Sequence, residues 1–225
     1  CYCVSIAFEQ EGEVKVGVIY NPCLDELFVA EKGQGAILNG KPIRVSTIPT
    51  LKKSLLVTGF APRVVKSEKD NLDHFCNFMK ACQAVRRPGS AAMDLVYTAM
   101  GRFEGFWERG LHPWDVAAGL LIILEAGGKA SKFDGSSTQI YDQEILVSNG
   151  LVHQQMAARP NKNPHGNSTP TKGGNRAAGT NPFPISIKRT GIADFQPITR
   201  SALVAPRFPE PCSLRSKPCA ARPTQ

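Results

Sequence analysis

Two acidic residues, Glu108 and Asp115, flank a tight loop that leads into the most apolar stretch of the chain. A short apolar strand is predicted to end at Glu108, and the helix that opens at Trp114-Asp115 runs on to Glu125. Asp115 is either a cap for that helix, since Asp is favoured at helix N-termini, or a carboxylate held at the edge of a cavity and aimed at a divalent cation. Hard cations such as Mg²⁺ bind carboxylate oxygens together with phosphate oxygens. The spacing alone leaves both roles open.

A second candidate site is the run of small residues from Gly89 to Ala92, which follows Arg86-Arg87. Gly89 or Ser90 is predicted to cap a helix that ends near residue 100. Small residues at the start of a helix leave backbone N–H groups open to an anion such as phosphate. An ordinary cap packed under small side chains fits the same pattern equally well.

The helix that follows Asp115 has no polar face, because residues 116–124 are all apolar or glycine. Such a helix should be buried between layers rather than lie on the surface. Pro113 suits its first turn, and Gly127-Gly128 should end it because glycine readily adopts the left-handed cap conformation. Asp115 is therefore expected at the mouth of a buried helix.

The strands before residue 46 are predicted to form an antiparallel meander. Alternation of apolar and polar residues indicates half-buried strands, and Asn39-Gly40 is a strong hairpin signal. The predicted strands are Val4–Glu9, Val14–Tyr20, Glu26–Glu31, Ala36–Leu38 and Lys41–Val45.

Helices and strands then alternate. A helix is predicted from Ser67 to Gln83, and His74 within it is expected at the surface. One face of this helix carries Leu72, Phe75, Cys76 and Met79 at helical spacing. The other predicted elements are the strands Leu55–Gly59, Phe103–Glu108, Lys129–Phe133 and Glu144–Ser148 and a closing helix, Leu151–Arg159.

The charge is unevenly distributed along the 225 residues. Residues 1–159 hold equal numbers of acidic and basic side chains, so the whole net charge of +8 lies in residues 160–225. Asn, Pro, Gly and Thr dominate this segment, which can bury too little apolar surface to offset the entropy of ordering. We therefore divide the chain into a domain, residues 1–159, and a basic tail, residues 160–225, that is predicted to be disordered. Basic tails can contact nucleic-acid phosphates, but this one lacks interleaved aromatic residues, so nucleic acid is not the expected partner.

Composition excludes several classes of protein. No apolar run approaches the ~18 residues of a membrane-spanning helix. The seven cysteines include no Cys-x-x-Cys pair, and no His lies at ligand spacing from them. Reduced cysteines in a cytoplasmic protein are therefore expected rather than a disulfide framework or a zinc site. The first residues are neither a signal peptide nor a methionine start, so the chain is expected to begin inside a larger domain.

Three of these motifs together resemble the inositol monophosphatase family. The stretch from Glu108 through Trp114-Asp115 to Gly119, followed by Glu125-Ala-Gly-Gly128, is similar to the family's C-terminal signature. The run Gly89–Ala92 resembles its substrate-binding helix start, and Gly33-Gln-Gly-Ala36 with Asn39-Gly40 resembles one of its hairpins. The three motifs fall in the family's order, and the resemblance covers roughly residues 3–157.

The resemblance implies a layered α/β sandwich, here incomplete, in which a mixed or antiparallel sheet packs with helices. It also implies a Mg²⁺-dependent phosphomonoesterase acting on a phosphorylated sugar or cyclitol, as a homodimer at full length. By this resemblance Asp115 is a metal ligand that also contacts substrate hydroxyls, and Glu108 holds a ring hydroxyl. Gly89, Ser90 and Ala91 would lie against the substrate.

The sequence also departs from the family's pattern. The family's other metal ligands lie upstream, in a Glu-Glu pair and an Asp-Pro-x-Asp-Gly-Thr motif, and neither occurs in this sequence. One carboxylate cannot hold two or three Mg²⁺ ions, each of which binds several oxygens, and the residue that activates water belongs to the same upstream part. We therefore expect no catalytic residue in this chain, no activity from the chain alone, and an exposed apolar face that promotes self-association.

Two alternatives remain open at this point. A relative with the same fold could act on fructose 1,6-bisphosphate, histidinol phosphate or 3′-phosphoadenosine 5′-phosphate. A non-catalytic fragment could instead bind nucleic acid or a protein partner through its basic tail.

Overall fold

The structure is a computed structural model that describes residues 2–61 and 71–158. The predicted helix start at Ser67 and the predicted disordered tail, residues 160–225, lie outside the described residues. No helix within the two described ranges is long and apolar enough to cross a membrane.

The N-terminal part forms a five-stranded antiparallel sheet, with the strands in sequence order. Its strands are β1 (Val4–Gln10), β2 (Glu13–Asn21), β3 (Glu26–Glu31), β4 (Ala36–Leu38) and β5 (Lys41–Pro42). Tight turns join the strands of two hairpins, and Asn39 and Gly40 take φ of 48° and 79° in one of them, as a two-residue hairpin turn with both central residues at positive φ requires. The predicted meander is confirmed, although β5 is shorter than expected.

The described residues from Leu55 onward form a second, mixed sheet and its helices. Its elements are β6 (Leu55–Thr58), α1 (Leu72–Met79), β7 (Ala84–Arg86), α2 (Ala91–Ala99), β8 (Gly105–Arg109), α3 (Pro113–Glu125), β9 (Lys129–Ser131), β10 (Glu144–Ser148) and α4 (His153–Ala157). The strand order is β7-β6-β8-β10-β9, with β6 parallel to both of its neighbours and β10 antiparallel to both of its own. In the β6–β8 register Thr58 lies opposite Trp107.

Helices α2 and α3 lie between the two sheets and share one core with them. A Cβ added to Gly17 of β2 would lie 2.7 Å from the carbonyl oxygen of Ala118, and one added to Gly119 would lie 2.7 Å from Cβ of Leu95 in α2. Glycine thus allows α3 to approach both a strand and a helix closely. The burial predicted from the apolar sequence of α3 is confirmed, since residues 116–123 are all buried.

Helices α1 and α4 contribute to a separate core on the second sheet. A helix is present at α1 as predicted, but the prediction of its buried face was wrong, because Leu72 and Met79 are 46% and 49% exposed whereas His74 and Phe78 are buried. The ring of His74 lies 4.5 Å from that of Phe133, and the ring of Phe78 lies 4.3 Å from that of Trp107. Aromatic partners from distant segments, rather than the periodicity of α1 itself, decide which face is buried. His74 is therefore no surface residue, and burial lowers its pKa to about 4.

The outer face of the first sheet is apolar along its edge strand. Alternate residues of a strand point to one face, and on β1 the side chains of Val4, Ile6 and Phe8 are 51–59% exposed. An exposed apolar face was expected from the sequence, and self-association through it stays a prediction.

Candidate functional site

A cavity of about 960 Å³ opens where β6 and β8 end and where α2 and α3 begin. Parallel neighbouring strands end at the same edge of a sheet, so the segments that follow them converge there. Two helix N-termini therefore face the same space, and Ser5 at the start of β1 and Cys3 just before it form another part of the wall.

The start of α2 contributes backbone rather than charged side chains. Gly89 has φ of 96°, and Ser90 is the N-cap in an extended conformation without a side-chain capping bond. The first turn of a helix has N–H groups that lack intrahelical acceptors, and here Ala91 and Ala92 line the cavity. Small side chains thus leave this positive helix end accessible to a ligand.

The start of α3 places Asp115 at the cavity. His112 is the N-cap, and its backbone N–H donates a hydrogen bond of 2.9 Å to Oδ2 of Asp115. Within the described residues no hydrogen bond reaches Oδ1. Asp115 is therefore both a cap through one oxygen and a cavity-lining carboxylate through its position, so the two roles left open by the sequence do not exclude each other.

Glu108 is the second cavity carboxylate, and it is only 6% exposed. Burial raises its pKa to about 7, the nearby carboxylate of Asp115 adds to that rise, and the guanidinium of Arg87 opposes it. Near neutral pH both the protonated and the ionised form of this group are therefore accessible. It can accept a hydrogen bond from a ligand hydroxyl or donate one to an oxygen.

A third carboxyl group, Asp94 on α2, was missed by the sequence reasoning. Its side chain is fully buried, and neither oxygen has a hydrogen-bond partner within the described part of the chain. Burial raises its pKa to about 8, with a further contribution from Glu108. A neutral carboxylic acid at pH 7 is the form that burial favours. The available signal was one acidic residue in the otherwise apolar run Ala91–Val96.

The remaining wall comes from the loop after β6, from the segment before α2 and from the aromatic side chains at the start of α3. The guanidinium of Arg87 lies 5.1 Å from the ring centre of Phe60 and donates a 3.5 Å hydrogen bond to its carbonyl oxygen. Trp114 stacks on His112 at 4.3 Å and is 61% exposed at the cavity rim. The sequence reasoning assigned no role to Phe60, because only the parallel pairing of β6 with β8 brings it to the site.

The sequence profile of the inositol monophosphatase family matches residues 1–164. The chain belongs to the inositol monophosphatase family. An inositol-1-monophosphatase of Synechocystis is 49% identical over 155 residues, covering 69% of this chain and 54% of the relative. The Nus factor SuhB of Escherichia coli is 41% identical over 157 residues, covering 70% of this chain and 59% of the relative.

Solved structures agree with this assignment. An inositol monophosphatase from Anabaena aligns with a TM-score of 0.69 at 45% identity, covering 71% of this chain and 63% of that one. The Thermotoga maritima IMPase aligns with a TM-score of 0.64 at 34% identity, covering 70% and 59%. The predicted family and its layered α/β fold are confirmed. The chain spans between about half and three fifths of the curated relatives it matches.

Family membership raises the question of whether the residues present fit Mg²⁺. Asp115 offers a hard oxygen, but the two described ranges contain no group of three His, Cys, Asp or Glu residues that could hold a metal ion. Mg²⁺ requires near-octahedral oxygen coordination. One or two carboxylates commonly bind it, and water and substrate phosphates complete the coordination shell. The described residues therefore supply one candidate ligand and do not form a magnesium site by themselves.

Another part of the family signature has a structural role at the far end of α3. The carboxylate of Glu125 accepts hydrogen bonds from the backbone N–H groups of Gly33 and Gly35, at 2.7 and 2.8 Å. The hairpin motif around Gly33 and Gly35 thus meets the C-terminal signature about 15 Å along α3 from Asp115. This contact fixes the β3–β4 turn to α3.

The structure brings every predicted site residue to one place. Those residues, Gly89, Ser90, Ala91, Glu108 and Asp115, all line the cavity. Their roles toward metal and substrate remain predictions.

Proposed function

We propose that this chain forms the substrate-recognition wall of a Mg²⁺-dependent phosphomonoesterase that converts a sugar or cyclitol monophosphate into the alcohol and phosphate. The observation that carries the proposal is the meeting of Glu108, Asp115 and the start of α2 in one cavity. Hydroxyl groups and a phosphate are the chemistry that carboxylates and open helix N-termini recognise.

In this proposal each part of the wall has a separate task. Glu108 accepts a hydrogen bond from a ring hydroxyl, and Asp115 binds a second hydroxyl and is one oxygen ligand of Mg²⁺. The backbone from Gly89 to Ala91 lies against the substrate. When bound, Mg²⁺ would neutralise the phosphate and activate water. That chemistry needs more oxygen ligands than the described residues hold, so we expect the chain alone to bind substrate without turning it over.

Phosphate release tests this expectation directly. The purified chain, incubated with inositol 1-phosphate and Mg²⁺, should release no phosphate above background. Mg²⁺-dependent release that disappears in Asp115→Asn would contradict it. Binding is tested by amide chemical shifts, which on addition of inositol 1-phosphate should change at the starts of α2 and α3. Changes confined to other parts of the chain would remove the proposed function.

The exact substrate is a separate matter. Fructose 1,6-bisphosphate, histidinol phosphate and 3′-phosphoadenosine 5′-phosphate are alternatives that share a phosphate and hydroxyl groups. A titration panel of these compounds against inositol 1-phosphate, with the same amide shifts as readout, ranks them. A homodimer and a cytoplasmic location are further proposals, which rest on the family alone.

A second candidate function is partner binding without catalysis. It is favoured by relatives at 41% identity that are named Nus factor SuhB and by the concentration of positive charge in residues 160–225. If the tail binds nucleic acid, affinity for RNA should fall steeply with salt and vanish when residues 160–225 are deleted. Equal affinity with and without that segment would exclude this function.

A further inference from the structure

Gly59 lies directly beside the carboxylate of Glu108. The parallel register of β6 and β8 pairs Thr58, the last residue of β6, with Trp107, so the residues that follow them, Gly59 and Glu108, lie at the same edge of the sheet. A Cβ added to Gly59 would lie 2.5 Å from both Cδ and Oε1 of Glu108. The absence of a side chain at position 59 is therefore what leaves room for this carboxylate.

The backbone at Gly59 is held in place by buried hydrogen bonds. The hydroxyl of Thr58 donates to the carbonyl oxygen of Trp107 at 2.6 Å. The side-chain amide of Asn71, which is 1% exposed, donates to the carbonyl oxygen of Gly59 at 3.2 Å and to the hydroxyl of Thr58 at 3.0 Å. These contacts connect β6, β8 and the start of α1, so the loop cannot easily retreat from an added methyl group.

The backbone of Glu108 is also fixed, by hydrogen-bonded strands on both sides of β8. Strand β8 lies between β6 and β10, and Glu108 pairs with Ile145 across the antiparallel side. With both backbones fixed, only the side chain of Glu108 is able to move. Glu108 is almost fully buried and borders the cavity. A methyl group at position 59 would therefore displace its carboxylate from the present position in the cavity wall.

We propose that Gly59 is a positioning residue for Glu108, and that it determines where in the cavity a ligand hydroxyl is accepted. This inference rests on the proposed function for the identity of the ligand, a phosphorylated polyol. The steric part concerns only residues of this chain and can be tested without a ligand.

The steric part is tested with a double-mutant cycle on the full chain. Gly59→Ala should lower the urea midpoint of unfolding when Glu108 is present. It should have much less effect in a Glu108→Ala background, where the carboxylate is absent, and Glu108→Asp should partly restore the midpoint because its side chain is one methylene shorter. Effects that simply add, as expected for residues that do not interact, would overturn the proposal.

The positioning part is tested with ligands. The probes are inositol 1-phosphate and a set of its monodeoxy analogues, each lacking one ring hydroxyl. The unaltered chain should discriminate against one analogue by about tenfold or more, as expected for a hydrogen bond to a charged group. Gly59→Ala and Glu108→Ala should both lose that discrimination.

A matched control separates positioning from general damage. Gly105→Ala introduces the same methyl group on β8, where it would meet the sulfur of Met156 at 2.5 Å. This variant should be less stable but should keep the hydroxyl discrimination. If Gly105→Ala loses discrimination as Gly59→Ala does, the effect is general and Gly59 has no specific role.

The two levels of the proposal fail in different ways. If the unaltered chain binds none of the polyol phosphates, the proposed function fails, and the mutant cycle alone decides the steric part. If the chain discriminates among the analogues and Gly59→Ala retains that discrimination, the proposed function stands and the positioning role is wrong.

Discussion

The two ends of helix α3 carry acidic residues from the same sequence signature, yet their surroundings differ. At the C-terminal end, both oxygens of Glu125 accept backbone hydrogen bonds, from Gly33 and Gly35. At the N-terminal end, Asp115 uses Oδ2 for a bond with the N-cap and lines a cavity. A family signature thus combines residues that hold the fold with residues that line a cavity, and the two acidic residues differ in how many of their oxygens accept a hydrogen bond.

The C-terminal end should give the larger effect on stability. Replacing Glu125 with Gln leaves only one carbonyl oxygen for two N–H donors, so one donor loses its acceptor. Because the Gly33 bond is exposed and the Gly35 bond only partly buried, we expect the free energy of unfolding to fall by about 1 to 2 kcal/mol, measured by urea denaturation. Binding of inositol 1-phosphate should be unchanged. A loss of binding without a loss of stability would reverse the roles assigned to the two ends.

The N-terminal end should show the opposite pattern. In Asp115→Asn the amide oxygen can still accept the bond from His112, so stability should change by less than about 1 kcal/mol. If Mg²⁺ increases the affinity of the unaltered chain for inositol 1-phosphate, that increase should be smaller by about tenfold or more in Asp115→Asn, because the charge-assisted part of the interaction is lost. Calorimetry with and without Mg²⁺ measures this, and an unchanged Mg²⁺ effect would exclude Asp115 as a ligand.

Buried titratable groups, of which Glu108 lines the cavity, make a smaller, pH-dependent contribution to stability. Asp94 and Glu108 have pKa values raised to about 8 and 7, so the folded chain retains protons that the unfolded chain releases, and stability falls as pH rises toward 8. His74 and His153 have pKa values lowered to about 4, so their contribution is lost as pH falls from about 6.5. The two trends oppose each other below pH 6.5.

Above pH 6.5 only the carboxyl trend remains. We expect the urea midpoint to fall between pH 6.5 and 8, with each group contributing at most about 1.4 kcal/mol per pH unit. Asp94→Asn should reduce this slope, whereas Asp134→Asn, at an exposed position, should not. A slope that is equal in all three proteins would show that burial of Asp94 has no effect on its protonation.

Periodicity and turn chemistry predicted much of the fold. The strands of the meander, helix α3 and its glycine stop follow from patterns within a few residues, and the observed bounds of β3 and β4 equal the predicted ones. The face of α1 did not follow, because the burial of His74 depends on Phe133, which lies far along the chain. Local patterns carry no information about such a partner.

The candidate site divides in the same way. Glu108 and Asp115 stand out because acidic residues border an apolar segment. Gly59 could not be selected, since its importance comes from Glu108, a neighbour that only the tertiary fold supplies. Asp94 stood out only as one acidic residue in an apolar run, and its burial, the main cause of its raised pKa, depends on the packing of α2. Sequence reasoning therefore selected residues that line the cavity and missed those that shape their surroundings.

The pairing of Thr58 with Trp107 also restricts how the chain can vary in length. Successive side chains of a strand point to opposite faces, so one residue inserted into β8 ahead of Glu108 would place a different side chain beside Gly59 and turn the carboxylate toward the aromatic cluster around Phe78. Insertions or deletions of a single residue should therefore be excluded from residues 105–108, whereas the turn at residues 134–136 can change in length without altering what faces the ligand.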